Sequence, residues 1–325
     1  MLSIEVIKSG LFDTLQDQGR YGYQHLGINP GGAMDQWAMR IANLLVGNHH
    51  NEVVIEMTFP AARLRFNAPA LIALAGADFN PVLNGKTLAL WQPVAVAAGS
   101  VLEFTRCKNG MFCYLAVHKG LRLSPWLGSM STHIAARQGG LHGRCLKAGD
   151  QLPLNSQARQ TTETQALSFR AVTTDFYLKG PVGCLPGPEP EETSEAADRF
   201  TQQKFYIHPQ SNRMGYRLVS TLPLPAPQAD KPSEAVTFGT LQLLPNGELM
   251  ALMADHQTTG GYPRLAVMGR AWQSAFVQRR PGDTVEFKWI TAEEAHVTFA
   301  GQLNAFRRLK TSCYQNLKTW LHENY

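Results

Sequence analysis

Turn-forming residues break the first half of this chain every few positions, and the apolar runs between them are never longer than a β-strand. "IEVIKSG", "ARLRFNAP", "ALIALAGAD", "VAVAAGS", "VLEFTR" and "MFCYLAVHKG" are each bounded by Gly, Pro, Asn or Asp. Their lengths and spacing suit strands joined by tight turns. A Gln/Thr-rich stretch, "NSQARQTTETQ" (155–165), reads as a linker. Strand-like runs resume after it: "ALSFRAV", "KFYIHP", "YRLVS", "TLQLL", "LMALMA", "RLAVMG" and "DTVEFKWI", with "PGPEPEE" and "LPLPAPQADKPS" as loops. A chain of 325 residues has room for two domains. The expected fold is mostly β: two β-barrel-like domains, 1–165 and 166–325, with few helices.

Two helices stand out from the strands. "MDQWAMRIANLLVGN" offers Asp35 as N-cap and Gly47 just past the C-terminus, with Trp37, Ile41, Leu44 and Leu45 on one face between them. A long C-terminal helix is expected from Thr291, where Thr291 and Glu294 have capping-box spacing. Val297, Leu303, Phe306, Leu309, Leu317 and Trp320 then keep a helical apolar period. "PVLNGKTLAL" reads as a hairpin turning at Asn84-Gly85. Its "GKT" is not a phosphate-binding P-loop, because the first glycine of that motif would fall at Asn80.

Composition and the motifs the chain lacks exclude several function classes. With 44% hydrophobic and 17% charged residues the chain is globular rather than disordered. The net charge of +5 is mild and "FRRLK" is the one local basic cluster, so no nucleic-acid partner is expected. Five cysteines without C-x-x-C spacing argue against a disulfide framework or structural zinc, and ten dispersed histidines show no metal-ligand spacing. His49-His50 reads as part of a solvated polar turn. No apolar stretch approaches a membrane span and the N-terminus is not a signal peptide, so a soluble cytoplasmic protein with reduced thiols is expected. There is no G-x-S-x-G, H-E-x-x-H or dinucleotide fingerprint. The absence of the biotinyl-lysine tetrapeptide "AMKM" means that no biotin is expected on this chain.

Three polar, glycine-bearing stretches remain as candidate sites. In "DHQTTGGYPR" (255–264), Gly260 and Gly261 would allow positive φ and close approach to backbone N–H groups. Gln257, Thr258, Thr259 and Tyr262 add polar groups, and Arg264 offers a fork suited to a carboxylate or phosphate. "PQSNRMGYRL" (209–218) gathers Asn212, Arg213, Tyr216 and Arg217 around Gly215. "GINPGGAMD" (27–35) leads through Gly31 and Gly32 to the helix capped by Asp35, where a helix N-terminus could hold an anion. Each also has a plain reading as a hairpin loop, a turn into a strand, or a loop and cap. The first two are expected to lie side by side and line one polar pocket. No catalytic residue is assigned.

These stretches occur in the order and spacing of a known family. "GLFDTLQDQGRYGYQHLGINPGGAMD", "RIANLLVGN", "LIALAGADF", "GGLHGRCLKAGDQLPL", "LPGPE", "SNRMGYRL" and "DHQTTGGYPR" resemble the biotin-dependent carboxyltransferase family, also called allophanate hydrolase subunit 2, and within it the C subunits of bacterial three-component 5-oxoprolinases. The resemblance implies cyclophilin-like β-barrels and partners homologous to the B and A subunits of 5-oxoprolinase. It also implies ATP-driven opening of 5-oxo-L-proline to L-glutamate, with ATP and Mg as cosubstrate of the complex. Relatives act in urea carboxylase-type, biotin-dependent systems or pair with a kinase inhibitor, and these are the alternative functions. The sequence departs from the family at "YLAVHKGLR", where His118 and Lys119 occupy small-residue positions. It departs again at Met130 in "GSMST", where arginine is common, and at Trp272 in place of an aspartate.

Overall fold

In the computed structural model, which describes residues 2–156, 164–226 and 232–324, the chain is mostly β with four helices among the described residues. The helices are α1 (Gln36–Leu45), α2 (Pro190–Phe200), α3 (Arg270–Val277) and α4 (Ala292–Asn324). Two compact units form: Met1–Arg20, Asp35–Thr173 and Asn304–Tyr325 in the first, and Tyr21–Met34 and Thr174–Leu303 in the second. Most of the expected 155–165 linker, and the middle of "LPLPAPQADKPS", lie outside the described residues.

The first unit holds two six-stranded sheets. At the centre of one, Ala70–Asp78 runs antiparallel to Asn109–Val117, pairing Tyr114 with Ala75 and Leu115 with Leu74. "ALIALAGAD" does not alternate because residues 70–75 are buried on both faces, and α1 packs against both of these strands. The Asp35 carboxylate caps α1 by accepting from Ala38 N at 3.0 Å, and Gly47 follows the helix at φ +74°. The Asn84-Gly85 hairpin forms as the sequence predicts. Both residues have positive φ (49° and 82°) between strands Pro81–Leu83 and Lys86–Thr87, the I′ pattern that matches strand twist.

The second unit is built on one eight-stranded sheet. Its outermost strands in the pairing order, Thr284–Val285 and Phe287–Trp289, are separated in sequence only by Glu286. The two ends of the order are therefore covalent neighbours, and the sheet nearly closes into a barrel. Phe200, Phe205, Phe276 and Phe287 fill it, with Phe200 stacked on Phe287 at 4.7 Å between centroids.

Two helices are not evident from the sequence. "PGPEPEE" reads as a loop, yet Pro190 opens α2. Its fixed φ suits a first helical position, where the missing N–H has no acceptor to lose. In α3, Ala271, Trp272, Ser274, Phe276 and Val277 are buried within eight residues, too short a window to display a helical period.

Helix α4 begins with the expected capping box. Glu294 N donates to Thr291 Oγ1 at 3.1 Å, and Thr291 N donates to Glu294 Oε2 at 2.9 Å. Within the first unit Phe306 packs on Trp37 with centroids 5.3 Å apart, and Leu317 is buried near Gly47. Thr291→Ala should lower stability by about 1 kcal/mol in a denaturant titration, because it leaves Glu294 N without its cap. A change below about 0.3 kcal/mol would mean the box is not maintained in solution.

Candidate functional site

All three glycine-bearing stretches contribute to one knot in the second unit. Arg213, on the turn before strand Gly215–Val219, is buried and forks onto Asp255: Nε donates to Oδ2 at 2.8 Å and Nη2 to Oδ1 at 2.9 Å. Nη2 also donates to the Gly32 carbonyl at 2.7 Å. Asp255 N donates back to Arg213 O at 2.8 Å, and Asn29 Nδ2 donates to Asp255 O at 3.0 Å. Gly31 and Gly32 sit at φ +62° and +92°, a left-handed pair that only glycines adopt without strain. The Arg213 fork, a geometry that could clamp a ligand carboxylate, is thus engaged by the chain's own carboxylate. Next to Asp255, His256 is buried, its Nδ1 against the Gln257 carbonyl, and burial lowers its pKa.

A second ion-pair group holds the other end of "DHQTTGGYPR". Thr259–Gly260 forms a short strand paired with Glu234–Ala235. Arg264 Nε donates to Glu189 Oε1 and its backbone N to Glu189 Oε2, both at 2.9 Å. Arg264 Nη1 reaches the Ala235 carbonyl at 3.0 Å, and its Nη2 contacts both Glu189 and Glu234. The hydrogen bond to Glu189 raises the Arg264 pKa further. A Cβ on Gly187 would lie 1.6 Å from the Arg264 carbonyl oxygen, which explains the glycine of "LPGPE".

The expectation of positive φ at Gly260 and Gly261 is corrected, since neither is in the left-handed region. Gly260 instead serves close approach, because a Cβ there would meet Gln242 Nε2 at 2.4 Å. The remaining candidates separate by burial. Tyr216 is a core residue whose hydroxyl donates to Val277 O at 2.8 Å, and Arg217 pairs with Glu248. Asn212 closes its own turn by accepting from Met214 N at 2.8 Å. Gln257, Thr259 and Tyr262 are exposed, and Thr258 and Gly261 are half-buried. Asp35 is spent on capping α1, and Asp35 N donates to the Tyr114 hydroxyl at 2.7 Å.

The departures from the resembled pattern have structural accounts. Lys119 takes φ +60° just before Gly120 at +69°, a conformation that glycine would adopt at lower cost. Buried His118 places Nδ1 2.6 Å from the Val46 carbonyl at the end of α1. Trp272 is buried against Gly183 and Gly269, where its ring leaves no room for a Cβ.

A cleft of about 240 Å³ that the sequence did not disclose opens in the first unit, between Asp17, residues 49–53 and residues 125–130. Asp17 Oδ1 accepts from Ser129 Oγ (2.7 Å), Ser131 Oγ (2.6 Å) and Gly19 N (2.7 Å), and Oδ2 accepts from Met130 N (2.7 Å). "GSMST" is therefore a cradle for Asp17. His49 is exposed, as its polar turn leads one to expect, and it lines this cleft.

Residues 26–289 match the model of the carboxyltransferase domain, subdomains A and B. The chain belongs to this family. It is 35% identical to the 5-oxoprolinase C subunit of Escherichia coli (strain K12) over 307 residues, which covers 94% of this chain and 97% of that protein. Identity is also 35% over 297 residues to the 5-oxoprolinase C subunit of Haemophilus influenzae, covering 91% of this chain and 93% of that one. Among solved structures, the K. lactis urea amidolyase superposes with a TM-score of 0.84 at 26% identity, covering 95% of this chain and 20% of that one. The mostly-β, barrel-like fold is that of the carboxyltransferase domains.

Proposed function

We propose that this chain is the C subunit of an ATP-dependent 5-oxoprolinase, which opens 5-oxo-L-proline to L-glutamate together with partner proteins homologous to the B and A subunits. One observation carries the reading: the match to the bacterial C subunits runs nearly end to end in both proteins, whereas this chain accounts for a fifth of the urea amidolyase it resembles. The chemistry agrees with a shared site. A lactam is an unreactive amide, and opening it at neutral pH calls for activation of the amide oxygen, for instance by a phosphoryl group from ATP with Mg. Donors must also be set against the developing negative charge. The chain has no nucleotide motif, and the arginines of its two loops are engaged by Asp255, Glu248, Glu189 and Glu234. The substrate-facing groups in this reading are the Gln257, Thr258, Thr259 and Tyr262 side chains, positioned by the Arg213 and Arg264 ion pairs. ATP is held with a partner.

The test is reconstitution. Co-expressed with the B and A homologues, the chain should support ATP hydrolysis that depends on 5-oxo-L-proline, and purified alone it should support none. Turnover by the isolated chain would overturn the shared site. A reconstituted complex that instead transfers a carboxyl group from carboxybiotin to urea would favour the second reading, the carboxyltransferase half of a urea carboxylase-like system, which family membership also supports.

A further inference from the structure

The first-unit cleft is open to solvent, with a mixed and mostly polar lining. Val53, Pro125 and Met130 supply apolar surface, and Asp17, His49, Asn51 and Glu52 supply polar groups. Its polar side is tied together by hydrogen bonds. Asp17 is buried under four donated hydrogen bonds, and Gln18 N donates to Asn51 Oδ1 at 2.8 Å, tying the Asp17 segment to the 49–52 turn. The Glu52 side chain lies across Gly120: a Cβ there would meet Glu52 Oε1 at 2.4 Å and Cγ at 2.6 Å. Only a glycine lets the Glu52 carboxylate occupy that position.

We propose that this cleft is a binding site for a small organic ligand that enters through a cationic nitrogen, an ammonium or a guanidinium. Charge sets the class. Among the described residues, two carboxylates line the cleft, no lysine or arginine does, and His49 is the one lining side chain that can carry positive charge. A carboxylate or phosphate placed there would meet Asp17 and Glu52 with few donors, whereas a cationic nitrogen meets acceptors and leaves its carbon portion against Met130, Pro125 and Val53. Burial raises the Glu52 pKa and the charge of Asp17 adds to the effect, an electrostatic cost that a bound cation relieves. A metal ion fits less well, because no group of three or more His, Cys, Asp or Glu side chains that could hold one occurs among the described residues. Met130 matters on this account, since an arginine at that position would place a cation beside the cavity.

The test uses the full chain, with methylguanidinium and methylammonium as probes and acetate as the anionic control. Binding is followed by amide shifts of Asn51, Gly128 and Met130 in transverse-relaxation-optimised NMR spectra. Saturable shifts are expected with the two cations and none with acetate. Glu52→Gln and Met130→Arg should each weaken cation binding by about tenfold or more, the scale of one lost charge-assisted contact. Glu52→Gln keeps an oxygen for Val53 N, which donates to Glu52 Oε1 at 3.2 Å, and Met130→Arg keeps the backbone donor to Asp17. Absence of saturation, equal binding of acetate, or unchanged affinity in folded Met130→Arg would overturn the proposal. This outcome is independent of the 5-oxoprolinase assay, so either reading can fail without the other.

Discussion

Arg213→Ala is expected to lower stability by about 2–4 kcal/mol, somewhat under the usual cost of breaking a fully buried ion pair because Arg213 is buried but Asp255 only half-buried. The magnitude follows from what is left behind. Asp255 loses both guanidinium donors, and the buried Gly32 carbonyl loses its 2.7 Å hydrogen bond. Three stretches of the second unit then lose their common tie. Arg213→Lys should recover only part of the loss, because one ammonium cannot reproduce the two parallel bonds to Asp255 and also reach Gly32. Asp255→Ala strands a buried guanidinium and should also be costly. The double substitution should cost clearly less than the two singles combined, since it leaves no unpaired charge. Guanidinium chloride unfolding followed by far-UV circular dichroism would measure all four proteins. A loss below about 1 kcal/mol in Arg213→Ala would mean that the pair is solvated and does not tie the loops.

Much of this is legible in the sequence because it is written in local rules. The type I′ turn at Asn84-Gly85, the Asp35 cap and the Thr291/Glu294 box each need only a few adjacent residues, and each forms as expected. The candidate loops are legible as loops, but their partners are not. Arg213 finds Asp255 forty-two positions away and Arg264 finds Glu189 seventy-five positions away, and no spacing rule announces such pairs. An arginine in a polar loop looks the same in sequence whether it awaits a ligand or is already held by the fold. Gly260 shows the same ambiguity, since a glycine needed for positive φ and one needed for close packing are spelled alike. The Asp17 cleft is hidden for a further reason. Its walls come from residues 17, 49–53 and 125–130, and "DQ", "HHNEV" and "GSM" carry no motif individually.

Asp13 carries the second large expectation, a dependence of stability on pH. Its side chain is buried; Oδ2 accepts from Ala62 N at 2.8 Å and Gly10 N at 3.1 Å, while Oδ1 is buried without a hydrogen bond among the described residues. Burial pushes its pKa from 3.8 up to about 7, against the backbone hydrogen bonds from Ala62 and Gly10, which favour the charged form. The folded state therefore holds a proton that the unfolded chain has already released between those two values. Its contribution to stability is full below pH 3.8 and is lost as the pH rises to about 7. Over that interval the single group accounts for about 4 kcal/mol. Asp13→Asn removes the titration while keeping an oxygen for Ala62 N and Gly10 N, and its amide resembles the protonated acid in charge and shape. The variant should lie within about 1 kcal/mol of the parent near pH 4.5 and exceed it by about 2–4 kcal/mol at pH 8. Because every other titrating group is common to both proteins, their difference in unfolding free energy across pH isolates Asp13. A difference that stays flat from pH 4.5 to 8 would mean that Asp13 is ionised in the folded state throughout, with Oδ1 reached by water rather than sealed in the turn.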